Sequence, residues 1–307
     1  MPVIVPNGLP AINTLANENI TIISEARALR QDIRPMRILI LNLMPTKIAT
    51  ENQLIRILSN TPLQVEITFL QTSTYESKNV APEHLETFYK EFNEIRHEFY
   101  DGLIVTGAPV ETLDFEAVDY WHELSDILSW ATSHVFSTIH ICWGAQAGLY
   151  FRYGIQKYPT SQKLSGVYKH GVGIPSHPLI RGFEDEFLAP HSRYTEILAT
   201  DLSKHKNLDI LATSDDAGIY LVASKDFREI YITGHPEYDS HTLGLEYIRD
   251  VEKGLNPEVP LNYFPDDDPG QLAKNKWKSH AYLLFGNWLN LVYQNVPYEI
   301  GRIEEMR

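Results

Sequence analysis

Four continuous apolar runs, each followed by a segment patterned as a helix, constrain this chain more than anything else in it. Met36 to Leu43 (MRILILNL) reads as a buried strand, and Lys47 to Leu58 as the amphipathic helix after it. Val65 to Gln71 (VEITFLQ) is a second strand. The stretch from Pro82 to Tyr100 then places Leu85, Phe88, Phe92 and Ile95 on one helical face. Gly102 to Val105 (GLIV) is a third strand ending in Thr106-Gly107-Ala108-Pro109, with a helical pattern from Phe115 to Thr132. Val135 to Ile141 (VFSTIHI) is the fourth, followed by a helix from Trp143 to Tyr153. Strands this apolar must be covered on both faces, and strand–helix alternation achieves that as a mostly parallel α/β sheet between two layers of helices. Ligands of such sheets collect at the carboxyl ends of the strands.

The pattern changes after residue 207. Leu208 to Thr213, Gly218 to Ala223 and Arg228 to Thr233 are short apolar runs separated by turns such as Ser214-Asp215-Asp216-Ala217. They predict an antiparallel meander feeding the edge of the sheet. Ser240 to Lys253 reads as a helix stopped by Gly254, Glu258 to Gly270 as a loop, and Trp277 to Val296 as a long apolar helix. No repeat or linker breaks the chain. The expectation is one α/β domain over residues 36–307, preceded by an irregular amino-terminal arm, residues 1–35. That arm and the last long helix either bury a homodimer interface or pack on the sheet.

Charge narrows the function classes. With 26 Lys and Arg against 40 Asp and Glu, the formal net charge is -14. Nucleic-acid binding rests on clustered cations against phosphates, so it is not expected. No apolar run reaches the roughly 20 residues that span a bilayer. The start of the chain lacks a basic segment leading into an apolar one. The single cysteine, Cys142, excludes an intrachain disulfide, and a reducing cytoplasm is the expected location. Twelve scattered histidines and one thiol offer no zinc-type cluster, so no metal is expected.

A lone thiol is either inert core filler or a nucleophile. Cys142 stands where the fourth strand ends and the next helix begins. A side chain on that sharp turn projects at the ligand end of the sheet, and the partial positive charge of the helix amino terminus favours a thiolate there. Gly144 leaves room for the turn, and the Trp143 N–H is placed to meet an oxyanion. The run Gly234-His235-Pro236-Glu237 directly follows another apolar strand. A thiol nucleophile needs a base within hydrogen-bond reach and a group orienting that base, roles that fit His235 and Glu237. By itself that tetrapeptide is an ordinary His-Pro turn; paired with Cys142 it reads as a site. Gly107 and Ala108, after the third strand, supply either a second oxyanion N–H or a plain turn.

These pieces resemble the class I glutamine amidotransferase fold, flavodoxin-like in its layering, where a G-x-C-x-G-x-Q elbow pairs with a later G-H-P-E. This chain keeps Cys142, Gly144 and Gln146 but has His140 in place of the first glycine, which speaks against glutaminase activity. The chain is more similar to the cysteine-nucleophile homoserine O-acyltransferases of methionine biosynthesis. The resemblance runs through Ile38 to Lys47, Thr106 to Glu111, His140 to Gly144, Lys163 to Val167, Pro190 to Arg193 and Gly234 to Glu237. It implies Cys142 as acyl-thioester nucleophile, His235 as general base and Glu237 as its partner. It also implies Lys163, Ser192 and Arg249 as substrate-lining residues. Arg249 is then placed to pair with the homoserine carboxylate, and Lys163 and Lys47 to meet anionic parts of the substrates. The reaction implied is ping-pong transfer from an acyl-CoA co-substrate to L-homoserine, with no cofactor. A glutaminase or cysteine hydrolase on the same fold, and a non-catalytic thiol sensor, are the competing classes.

The resemblance also bears on the acyl group. Family members that use succinyl-CoA resemble one another in having glycine where this chain has Glu111, and glutamate there goes with acetyl-CoA. The physical reason is that Glu111 fills the place of a succinyl carboxylate and repels its charge. Two like charges about 4 Å apart cost roughly 1 kcal/mol in water and more when partly buried. The bland alternative is a solvated acid favouring the next helix's amino terminus. The expectation is acetyl-CoA.

Overall fold

The computed structural model describes residues 3–17, 22–24, 34–74 and 80–306. Among them, twelve strands share one sheet. They are β1 (Val3–Val5), β2 (Ile22–Ser24), β3 (Met36–Leu41), β4 (Val65–Leu70), β5 (Tyr89–Lys90) and β6 (Tyr100–Val105). After these come β7 (Val135–Ile141), β8 (Tyr158–Val172), β9 (Glu186–Glu196), β10 (Leu208–Ser214), β11 (Gly218–Ser224) and β12 (Glu229–Ile232). Their order is β2-β1-β4-β3-β6-β7-β12-β11-β10-β8-β9, with β5 alongside β4. Everything from β2 to β12 in that order is parallel, and everything from β12 outward through β11, β10, β8 and β9 is antiparallel.

The parallel half follows from the apolar runs. On β3, Ile38 and Ile40 face one layer and Leu39 and Leu41 the other, and all four are buried. Helices α1 (Lys47–Leu58) and α5 (Lys278–Asn295) cover the first face through Leu54, Ile55, Phe285 and Trp288. Helices α2 (Trp121–His134) and α3 (Trp143–Tyr153) cover the second through Leu124, Leu128, Trp143 and Ala147. Each Leu, Ile or Phe among these contributes about 1.5–3 kcal/mol by leaving water. α4 (Thr242–Glu252) follows the last strand and ends before Gly254, whose φ of 71° suits glycine at a helix stop.

Three sequence expectations need correction. The stretch from Pro82 to Tyr100 is not one helix. It breaks at β5, where Tyr89 pairs with Phe69 and its hydroxyl reaches Asn42 at 2.8 Å and Glu51 at 2.7 Å. Sheet pairing and a buried hydroxyl network there outweigh helical periodicity. The amino-terminal arm is not wholly irregular. β1 joins β4 in parallel, and a helix over Ala11–Asn17 buries Ala11 and Leu15 in the core; much of the remaining arm lies outside the described residues. The meander is not the end of the sheet either, because the long β8–β9 hairpin extends it. No described helix is long and apolar enough to cross a membrane.

Candidate active site

Cys142 is the hinge between β7 and α3. Its φ of 52° and ψ of −115° lie in a region that costs a non-glycine residue about 1–3 kcal/mol. The surroundings hold it there: the Cys142 N–H donates to Ile232 O at 2.7 Å, and its carbonyl accepts from Ala145 at 3.0 Å and Gln146 at 3.2 Å. Gly144 is required by close approach. A Cβ there would sit 2.7 Å from Thr106 O and 2.8 Å from Val105 O. Trp143, the first helical residue, is buried, and its N–H has no intrahelical acceptor.

His235 lies three residues beyond β12, at the same carboxyl end. Its Nδ1 meets Glu237 Oε1 at 2.7 Å, which leaves Nε2 for the thiol. The Tyr238 ring stacks on the imidazole with centroids 4.1 Å apart and planes 20° apart. Gly107 marks the narrow gap between the two groups, since a Cβ on it would be 3.3 Å from both Cys142 Cβ and His235 Cε1. Burial of the imidazole opposes its charging. The thiolate of Cys142 and the carboxylate of Glu237 outweigh this and hold the imidazolium well above the usual histidine range.

β9 runs past this pair as an edge strand. It pairs antiparallel with β8, as in His191 opposite Gly166 and Ser192 opposite Ser165. The backbone groups of its even-numbered residues turn to the site. Pro190 O accepts the His235 N–H at 2.9 Å, Ser192 O lies 4.0 Å from Cys142 Sγ, and the Tyr194 N–H donates to Glu111 Oε2 at 2.8 Å. His235, Cys142 and Glu111 are thus met in order along one strand edge. Thr195 Oγ1 lies 3.3 Å from Glu111 and 2.9 Å from Gln146 Oε1 of the elbow helix. Burial pushes the Glu111 carboxyl up, against the pull of these hydrogen bonds and of nearby Arg193.

A polar cluster fills the space beyond Ser192. Lys163 Nζ reaches Asp250 Oδ2 at 2.8 Å and Glu246 Oε2 at 3.8 Å, and Arg249 Nε reaches Asp250 Oδ1 at 2.8 Å. Glu246 accepts from the Ser192 hydroxyl and from the Tyr238 hydroxyl, the latter at 2.7 Å. A cavity of about 330 Å³ opens here, with Lys163, Tyr168, Tyr194, Tyr247 and Asp250 in its wall.

The homoserine O-succinyltransferase family profile matches residues 2–298. The chain belongs to that family. It is 54% identical to a homoserine O-acetyltransferase of Petrotoga mobilis over 99% of both chains. It is 53% identical to a homoserine O-acetyltransferase of Streptococcus thermophilus over 99% of this chain and 98% of that one. A homoserine O-succinyltransferase of Vibrio vulnificus is 52% identical, again over 99% and 98%. Among solved structures, a glutamine amidotransferase from Thermotoga maritima superposes with a TM-score of 0.58 at 13% identity, covering 85% of this chain and 99% of that one. The fold is therefore the class I glutamine amidotransferase-like one, on a chain of an acyltransferase family.

Within this family frame the structure brings Cys142, His235, Glu237, Gly107, Ala108 and Trp143 together at the carboxyl ends of β6, β7 and β12, and gathers Lys163, Ser192 and Arg249 beside them. Lys47 is different. It is buried at the start of α1, donates to Asn42 O and lies 5.6 Å from the Tyr89 ring centroid. Burial lowers its pKa to about 8, opposed by Glu51. Its ammonium is thus turned onto the chain's own backbone. His140, where the amidotransferase pattern has glycine, bonds Glu229 at 2.7 Å and stacks on Tyr231 beneath the elbow. A Cβ on Gly148 would come within 2.7 Å of its Nδ1, so that glycine makes room for the ring. Sequence reasoning missed Tyr238, Glu246 and Asp250. The signal for the latter two was present, because Glu246, Arg249 and Asp250 share a face of α4 at i, i+3 and i+4 spacing.

Proposed function

We propose that this protein is a homoserine O-acetyltransferase working through a Cys142 acyl-thioester. The observation carrying this reading is the arrangement of a strained cysteine elbow facing a buried His235–Glu237 pair, in a chain of an acyltransferase family. Cys142 Sγ attacks the thioester carbonyl of acetyl-CoA, and the carbonyl oxygen turns toward the N–H groups of Trp143 and Ala108. The new S–C bond forms as the bond to CoA sulfur breaks, and the His235 imidazolium gives its proton to the leaving thiolate. Acylation removes the negative charge from Cys142. That charge is what chiefly offsets the burial of His235, so the imidazole is then a neutral base. It takes the proton of the homoserine hydroxyl, whose oxygen attacks the acyl-enzyme and restores the thiolate–imidazolium pair. Lys163, Ser192 and Arg249 hold homoserine, with Arg249 on its carboxylate. The setting is a reducing one, in keeping with the single buried free thiol.

Glu111 selects acetyl. Its carboxylate is tied to β9, two residues along from Ser192, where the far end of a succinyl chain on Cys142 would lie. Intact-protein mass spectrometry with acetyl-CoA and no acceptor tests the core of this reading. A gain of one acetyl group, absent in Cys142→Ala, is expected. Homoserine acetylation that survives Cys142→Ala with no adduct on the wild type would overturn it. Steady-state rates with the two CoA esters test the donor, and faster turnover of succinyl-CoA would overturn acetyl selection.

A further inference from the structure

Glu111 is a carboxylate held in a place built for one. Its Oε2 takes the Tyr194 N–H at 2.8 Å and lies 3.3 Å from Thr195 Oγ1. Behind both stands Arg193, 2% exposed. Its guanidinium bonds only neutral groups: Thr195 O at 2.6 Å, Ala217 O, and His191 Nδ1 at 3.4 Å. Among the described residues no carboxylate lies within ion-pair distance of it. A buried cation so placed favours an anion nearby. Ser192 O and the Tyr194 N–H point off the same edge of β9, roughly 7 Å apart or less at the strand repeat. The first touches the Cys142 thiol and the second the Glu111 carboxylate. An extended succinyl chain spans about 5 Å from the sulfur to its carboxylate carbon.

We propose that the Tyr194 N–H and the Thr195 hydroxyl, with the buried charge of Arg193 behind them, form an anion site for the distal carboxylate of a dicarboxylic acyl donor, and that Glu111 occupies this site from within the chain. Glu111 then does more than obstruct and repel. It satisfies the donors that an incoming carboxylate would otherwise use, and removing it uncovers a receptor rather than an empty space. The inference rests on the acyltransferase reading above and adds what chemistry lies behind Glu111.

The test compares succinyl-CoA with 4-methylpentanoyl-CoA, in which an isopropyl group replaces the carboxylate at nearly equal size. Glu111→Gly is expected to use succinyl-CoA at least about 10-fold better in kcat/KM than the neutral analogue, the range of a charge-assisted hydrogen bond. Glu111→Gln fills the site and gains neither. Adding Thr195→Val to Glu111→Gly is expected to draw the succinyl-to-neutral ratio toward one. Glu111→Ala repeats the comparison with a less flexible backbone. Equal use of the two long donors by both small variants, or preference for the neutral one, overturns the anion site while leaving Glu111 a steric selector, provided the wild type still prefers acetyl-CoA. Small variants that accept neither long donor also overturn it. Wild-type preference for succinyl-CoA over acetyl-CoA overturns both the anion site and the donor assignment.

Discussion

The parallel and antiparallel halves of the sheet are built from different materials. From β4 to β7 the strands bury mainly Leu, Ile, Val and Phe on both faces, with Asp101, Ser137, Thr138 and His140 as buried polar exceptions. From β10 to β9 the strands bury His170, His191, Arg193 and Thr195 together. The parallel half fixes a backbone: it holds Cys142 in a strained turn by packing and by close contacts of glycine. The antiparallel half fixes charges: it lines Cys142, His235 and Glu111 with polar groups along one strand edge. The difference teaches that position and electrostatics of the site are set by separate parts of the fold, so they should fail separately.

The largest effect is expected where the two halves meet. His235→Ala removes the base while leaving the elbow packed, and acyl transfer should fall by about 10³–10⁴, near 4–5 kcal/mol of barrier. Thermal melting should change little against that loss. A variant that keeps a tenth of the wild-type rate would show that the base lies elsewhere.

Next is the parallel half alone. Gly144→Ala drives a methyl against the Thr106 and Val105 carbonyls, which are backbone and cannot rotate away. We expect roughly 3 kcal/mol or more of stability lost in urea unfolding, with activity lost along with the fold. Full stability in this variant would mean that the elbow gives way easily and that packing does not hold the Cys142 strain.

The antiparallel half should respond to pH instead. His170 and His191 share a 3.0 Å contact between their Nε2 atoms, and both are fully buried. Arg193 Nε points at His191 Nδ1, so the shared proton belongs to His191 Nε2 and His170 accepts it. Burial lowers the His170 pKa to about 4, partly offset by a backbone hydrogen bond. An unfolded histidine titrates near 6.5, so on acidification the unfolded chain takes up the proton first and stability falls. The loss due to His170 should run from about pH 6.5 to about pH 4, reaching roughly 3 kcal/mol. Urea midpoints for wild type and His170→Gln at pH 7 and pH 5 check this. Wild type should lose more between them, by about 2 kcal/mol, and parallel losses would show that the pair does not sense pH.

The same division explains what could be read from sequence. The parallel half was legible because continuous apolar runs leave few alternatives, and Cys142 and His235 stood out because each follows such a run. The β8–β9 hairpin was not. Its first strand, YPTSQKLSGVYKHGV, is exposed or half-buried over most of its length and carries no apolar run. Yet that hairpin presents Lys163, Ser192 and Tyr194 to the site. Residues that act through charge on a wet surface look like surface, and only their meeting in space marks them. The break at Tyr89 was hidden for the opposite reason. Its helical periodicity is genuine locally and is overruled by pairing with Phe69, a contact twenty residues away.

The smallest effect probes the seam between the halves. Tyr238 stacks on the His235 imidazole, while its hydroxyl reaches Glu246, which also holds Ser192 of β9. Tyr238→Phe keeps the ring and removes that tether. One neutral-to-charged hydrogen bond is worth about 1–3 kcal/mol, and the ring contact that remains should retain most of the positioning. We therefore expect kcat/KM for homoserine to drop by about 5-fold to 10-fold, with the acetylation half-reaction, followed by mass spectrometry without acceptor, nearly unchanged. That split follows if Glu246 and Ser192 order the acceptor side of the site while Cys142 and its elbow act alone on the donor. If acetylation slows as much as transfer, the tether serves the imidazole itself. The charged half would then reach into the step that the packed half was expected to own.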